Sequence, residues 1–246
     1  MKPPNHDLLP PEAVQAPPTP PALTQRWHDA VFLHWRADPD LVAPLLPPHT
    51  RPDVLDGSTY VGMVAFGVDR ARVLGVLPTG GFAEANVRLY ARDRHGRQGV
   101  VFRSMDADSA HNVLAARALA RVPYTWSDVA VRTTGGHAIG GVRRRAPGPP
   151  ARARWRVAVG PPITRPSPLE VFLTARWGLF TTWSGRTVWI PVAHPPWPLH
   201  AARTLHYEGD LLPAAGIAQP AGPPDSTLWS PGVRAAFWLP RRVAVQ

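Results

Sequence analysis

The chain has 246 residues, enough for one large domain with a sizeable core, and it contains no cysteine, which excludes disulfides, thiolate nucleophiles and thiolate metal sites. Its net charge of +10 rests on 27 basic against 17 acidic residues, with Lys2 the only lysine; alongside 32 prolines this is the signature of a GC-rich coding sequence, so it argues only weakly for a polyanionic partner. No apolar run approaches a membrane span, and Met1–Asp7 lacks the basic-then-apolar order of a secretory signal, so a soluble cytoplasmic protein with no membrane partner is expected.

Residues 1–22 hold eight prolines and no periodic apolar pattern; they bury too little surface to offset their ordering entropy and read as a disordered tail. A single domain, 23–246, follows. Ala30–Trp35 is a β-prone run. Asp38 caps and Pro39 opens a short helix to about Leu46, ended by Pro47-Pro48. Pro52–Phe66 predicts a hairpin around Asp56-Gly57, and a second hairpin joins 84–92 to 98–106 around His95-Gly96. Ser109 caps a helix over about 110–121, stopped by Pro123. Strands follow at 127–133 and 137–145 around Gly135-Gly136, and the next strand sets Arg152, Arg154 and Arg156 on one face. Ser167-Pro168-Leu169-Glu170 is a capping-box start for a helix to about Arg176. Strands at about 177–183 and 186–193 flank Ser184-Gly185. Past His194 the chain is punctuated by proline, with a last strand at 233–239. The pattern is α+β, mainly antiparallel, without an internal repeat.

One strand stands out. Alternation along Glu84–Ala91 puts Glu84, Asn86, Arg88 and Tyr90 on one face and Ala85, Val87, Leu89 and Ala91 on the other. A carboxylate, an amide, a guanidinium and a phenol in line are either a solvated face with an ion pair or the wall of a polar pocket. The neighbouring run, Val100–Asp106, puts Phe102, Ser104 and Asp106 on one face; whether that is the Glu84 face depends on the turn, because a one-residue slip reverses it.

Several motifs, in order, carry a resemblance: Glu84-x-Asn86-x-Arg88-x-Tyr90, Gly99-Val100-x-Phe102-x-Ser104-Met105-Asp106, Ala116-Arg117, Pro123-Tyr124, Leu169-Glu170-x-Phe172-Leu173-Thr174-x-Arg176 and His194-x-x-Trp197. Over about Leu23–Leu239 the chain resembles the YqjF-like family, domain of unknown function 2071. That resemblance implies the acetoacetate decarboxylase-like superfamily, whose curved antiparallel sheet closes into a cone-like barrel around a small-molecule pocket. The decarboxylases carry a Gly-Arg-Glu helix start and then a Pro-Lys whose lysine forms an imine with a β-keto acid. Here Ala116-Arg117-Ala118 and Pro123-Tyr124 are similar to those points at the same spacing, with Tyr124 where the lysine would be and Ala118 in place of the glutamate. A phenol forms no imine, and Lys2 lies outside the domain, so Schiff-base chemistry is not expected.

The remaining groups allow other chemistry. A Glu84 inside an apolar enclosure would have a raised pKa and could act as general acid or base with Tyr124, while Arg88 or Arg117 could clamp a carboxylate; a buried Glu–Arg pair with a purely structural role is the alternative. Asn86, Tyr90, Ser104, Asp106 and His194 complete the candidate ligand-binding set. His34 could act as a base, although a lone His is more often a packed residue. The ten His show no metal-ligand spacing, and neither a metal nor a cofactor is expected. Arg143–Arg145 with Arg152, Arg154, Arg156 and Trp155 could bind phosphates in a salt-sensitive way, but read better as a solvated strand face than as a specific nucleic-acid site. The expected partner is a small organic acid or carbonyl compound, bound with or without turnover. Oligomeric state is open.

Overall fold

The computed structural model describes residues 17–119, 121–145 and 149–243, with backbone alone at 115–119; the remainder of the expected tail, 1–16, lies outside the described residues. Among those described, fourteen strands form one sheet. Its central members are β1 (Leu23–Ala37), β3 (Thr59–Val73), β5 (Phe82–Asp93) and β6 (Gln98–Ala107), all paired antiparallel in that order. Short β2 (Thr50–Pro52) lies outside β5, and β4 (Leu77–Pro78) pairs with the end of β3. From β6 the sheet runs on through β7 (Tyr124–Thr134), β8 (His137–Arg144), β9 (Arg152–Pro162), β12 (His200–Gly209) and β13 (Ser226–Phe237), which returns to β1. Nine strands thus close into a ring. Strands β10 (Gly178–Trp183) and β11 (Arg186–Ala193) bridge β6 to β13 on one side, with β14 (Arg241–Arg242) beyond them. This curved, mainly antiparallel sheet with short helices is the α+β architecture expected.

The central strands are buried on both faces, which explains why Ala30–Trp35 reads as an apolar run broken only by His34. One core gathers Phe32, Val64, Met105, Phe172 and Leu173 under the helices α2 (Ala110–Leu119) and α3 (Pro168–Thr174). The other, on the opposite face, gathers Leu33, Met63, Val87, Leu89 and Trp155. Helix starts follow local chemistry: Asp38 accepts from the Asp40 amide ahead of α1 (Pro39–Val42), and Ser167 with Glu170 forms a complete capping box before α3. Gly135 and Gly136 take the positive φ that their turn requires.

Two expectations change. The Asp56-Gly57 turn closes only a Leu55–Ser58 bridge, and no hairpin spans Pro52–Phe66; β2 pairs with β5, because Asp53 is drawn into the interior by Arg92, Gln98 and Arg176. Past His194, β12, α4 (Leu211–Ala214) and the first half of β13 were not legible. Strand β12 is largely solvent-facing with two register shifts, so it shows no clean alternation, and β13 contains Pro231. Residues 17–22 lead into β1 alongside β13, with the Thr19 carbonyl accepting from Trp238 Nε1 and the Ala22 amide donating to Phe237.

Candidate functional site

Pleat geometry sets one row of β5 toward the helix-covered core. Glu84 is 3% and Asn86 2% exposed. Tyr124, which opens β7 beside Met105, donates its hydroxyl to Glu84 Oε2 at 2.5 Å, and Asn86 Nδ2 donates to Oε1 at 3.0 Å. Burial, against the pull of these two hydrogen bonds, lifts the Glu84 carboxyl to about 7. The Tyr124 phenol is driven well above its ordinary range by burial and by the facing carboxylate, so it remains a donor. The result is a carboxyl group able to hold or release a proton near neutrality.

Arg88 occupies the other end of the row, half-buried, with its guanidinium 5.7 Å from the ring centres of Phe32 and Tyr90. It donates to the Leu173 carbonyl at 3.2 Å, which also accepts from the Tyr90 hydroxyl at 2.9 Å. Arg176 Nε takes the neighbouring Phe172 carbonyl at 2.8 Å, so three side chains satisfy the otherwise unpaired carbonyls that end α3. His34 joins through a 2.6 Å hydrogen bond to Tyr90. His34, Gly62 and Arg88 lie in register across β1, β3 and β5, and a Cβ at Gly62 would come within 2.8 Å of the His34 ring and 3.4 Å of Arg88 Cγ. Glycine there makes room for both.

Charge at this end does not balance. Asp53, fully buried, serves both Arg92 and Arg176, the latter at 2.5 Å. Among the described residues Arg88 has no carboxylate partner, and its Nε is buried without a hydrogen bond. Burial together with the charges of Arg88 and Arg176 holds the His34 pKa well below its ordinary value. His194 is lowered too, mainly by burial; its ring lies among Trp27, Trp177 and Trp197, with Nδ1 2.8 Å from the Pro195 carbonyl.

Ser104 and Asp106 do not join this row. A register shift between Val87 and Arg88 gives β6 one extra residue at Arg103, so Ser104 pairs with Val87 and Asp106 with Ala85, on the opposite face. There Asp106, fully buried, forms a two-point pair with Arg144 at 2.8 and 3.1 Å and accepts from Ser127 at 2.7 Å. Phe102, across from Arg88, and Met105, across from Asn86, face the row instead. The side chain of Arg117, on α2, lies outside the described residues.

Strand alternation splits the basic run: Arg144 is buried on Asp106, while Arg143 and Arg145 flank Asp128 on the surface. Arg152, Arg154 and Arg156 are exposed on the outer face of β9. An open groove of about 810 Å³, lined in part by Arg132, Arg154, Arg156 and His206, contains no member of the Glu84 row. No group of metal-ligating side chains is assembled among the described residues.

Residues 24–234 match the family of uncharacterized conserved proteins termed domain of unknown function 2071. The chain belongs to that family. The uncharacterized protein YqjF of Bacillus subtilis (strain 168) is 31% identical over 207 residues, which covers 82% of this chain and 85% of YqjF. Among solved structures, the enduracididine biosynthesis enzyme MppR complexed with pyruvate aligns at TM-score 0.62 and 16% identity over 95% of both chains. An acetoacetate decarboxylase-like enzyme from Sphingomonas wittichii RW1 aligns at TM-score 0.61 and 16% identity over 96% of this chain and 98% of its own. Acetoacetate decarboxylase from Legionella pneumophila aligns at 0.62 and 14%, over 94% and 92%. The fold of this DUF2071 chain is therefore acetoacetate decarboxylase-like.

Two residues packed around the Arg88 end of the row escaped the candidate set. Asp53 read as part of a hairpin, and Arg176 read only as a motif residue; nothing in local spacing says that a helix C-terminus would bring Arg176 to Asp53, 123 positions away. His34 had a weak signal, a histidine within an apolar strand.

Proposed function

We propose that this chain binds a small organic acid, or a carbonyl compound bearing a carboxylate, along the Glu84–Arg88 row. Arg88 anchors the carboxylate, and Glu84 exchanges a proton with the bound molecule. The observation that carries the reading is the half-buried Arg88 guanidinium with no acidic partner among the described residues while its neighbour Arg176 has one. Sequestered charge of this kind is costly unless an anion joins it. Tyr124 stands in for the imine lysine of the decarboxylase-like families; it holds the Glu84 carboxyl in place by its 2.5 Å hydrogen bond and forms no covalent link to substrate.

Thermal-shift measurements on the full chain with lactate and pyruvate, each against its neutral amide, test this. The acids raise the melting temperature in a dose-dependent way and the amides do not. Equal shifts from acid and amide, or none from either at tens of millimolar, would sink the proposal.

A further inference from the structure

The lining of the Glu84–Arg88 row leaves unmade hydrogen bonds of a defined kind. Tyr90 has one hydroxyl proton, and it goes to the Leu173 carbonyl at 2.9 Å. Its 2.6 Å contact with His34 is therefore donated by His34 Nε2–H, which leaves Nδ1 as a bare lone pair. His34 is fully buried, and Nδ1 has no partner. Asn86 is in a similar state: its amide N–H is given to Glu84 Oε1 at 3.0 Å, and its Oδ1 is buried and unpartnered. Buried polar atoms are paired in about nine cases of ten. Two orphaned acceptors and one orphaned donor, Arg88 Nε, lie on β1 and β5, on either side of Gly62 in β3, and call for a ligand that both donates and accepts.

We propose that the molecule this site selects is a hydroxy acid, its carboxylate on Arg88 and its hydroxyl donated to Asn86 Oδ1 or His34 Nδ1. The inference rests on the acid-binding reading above and narrows it. An oxo acid or an unsubstituted acid is an acceptor only and leaves both orphans unpaired. An ammonium would supply donors, but it would share the enclosure with Arg88 and Arg176. Asn86 and Arg88 are two residues apart on one strand, roughly 7 Å, so the hydroxyl belongs on the second or third carbon of the acid.

Isothermal titration of the full chain at pH 8, where Glu84 is ionised, compares lactate with pyruvate and propionate, and 3-hydroxybutyrate with butyrate. The expected result is at least a tenfold preference for the hydroxy acid in one series, reduced to under threefold in Asn86→Leu or His34→Phe, and acid binding weakened roughly thirtyfold in Arg88→Ala. Should neither of the first two variants fold, the comparison among ligands on the unaltered chain still decides. Acids that bind within twofold of one another and still depend on Arg88 overturn the hydroxy-acid inference and leave the acid-binding reading intact. Absence of any Arg88-dependent acid binding overturns both.

Discussion

Tyr124 and Glu84, forty positions apart, meet through a 2.5 Å hydrogen bond in which the phenol donates to Oε2. This contact lowers the carboxyl's proton affinity against a larger opposing effect of burial, leaving it at about 7. Tyr124→Phe removes the donor, so the Glu84 pKa should rise further. Carbon-13 NMR of the glutamate carboxyl across a pH titration measures it directly, and an unchanged or lower value would show that the phenol does not govern this proton.

The same group imposes a pH dependence on stability. Its folded pKa is raised from 4.5 to about 7, so the folded state holds a proton that the unfolded chain has released in that interval. The Glu84 contribution is full below about pH 4.5 and is lost as pH rises toward 7, a change on the order of 3 kcal/mol. His34 and His194, with lowered pKa values, act in the opposite sense as acid is added, so the diagnostic quantity is the difference between chains. Glu84→Gln should gain stability relative to the original between pH 4.5 and 7 in urea titrations. A constant difference across that range would contradict the assignment.

Adjacent arginines should behave differently. Arg144→Ala strands a fully buried Asp106 and should cost about 3–5 kcal/mol of folding stability. Arg143→Ala loses only an exposed contact to Asp128 and should leave folding stability nearly unchanged. Chemical denaturation separates the two, and comparable losses would mean that the bulge at Arg103 does not turn Asp106 toward β8.

How far the site was legible follows from the same elements. Alternation within β5 was enough to group Glu84, Asn86, Arg88 and Tyr90, because pleat period is a local property. Tyr124 entered through the resemblance, as the residue standing where the imine lysine would be, and no local signal of its own marked it. Ser104 and Asp106 failed because a single inserted residue in β6 reverses every later side chain, and a bulge leaves no local mark when its residues are ordinary ones. The Arg88 surroundings failed for another reason: they are built by the backbone carbonyls of Phe172 and Leu173, and a carbonyl has no sequence identity. The fold followed the resemblance closely through β11, and was least readable across β12 and β13, where solvent-facing positions and Pro231 blur the period.

The most direct test of the ligand site is the affinity of a small carboxylic acid, lactate or pyruvate, for Arg88→Ala against the unaltered chain, by isothermal titration at low salt. Because Arg88 is half-buried, the loss should fall at the lower end of the range for a desolvated charge pair, about 2 kcal/mol or roughly thirtyfold in Kd, with Tyr124→Phe changing it far less. Affinities within twofold of each other would contradict the account and remove Arg88, and with it the Glu84 row, as the binding site.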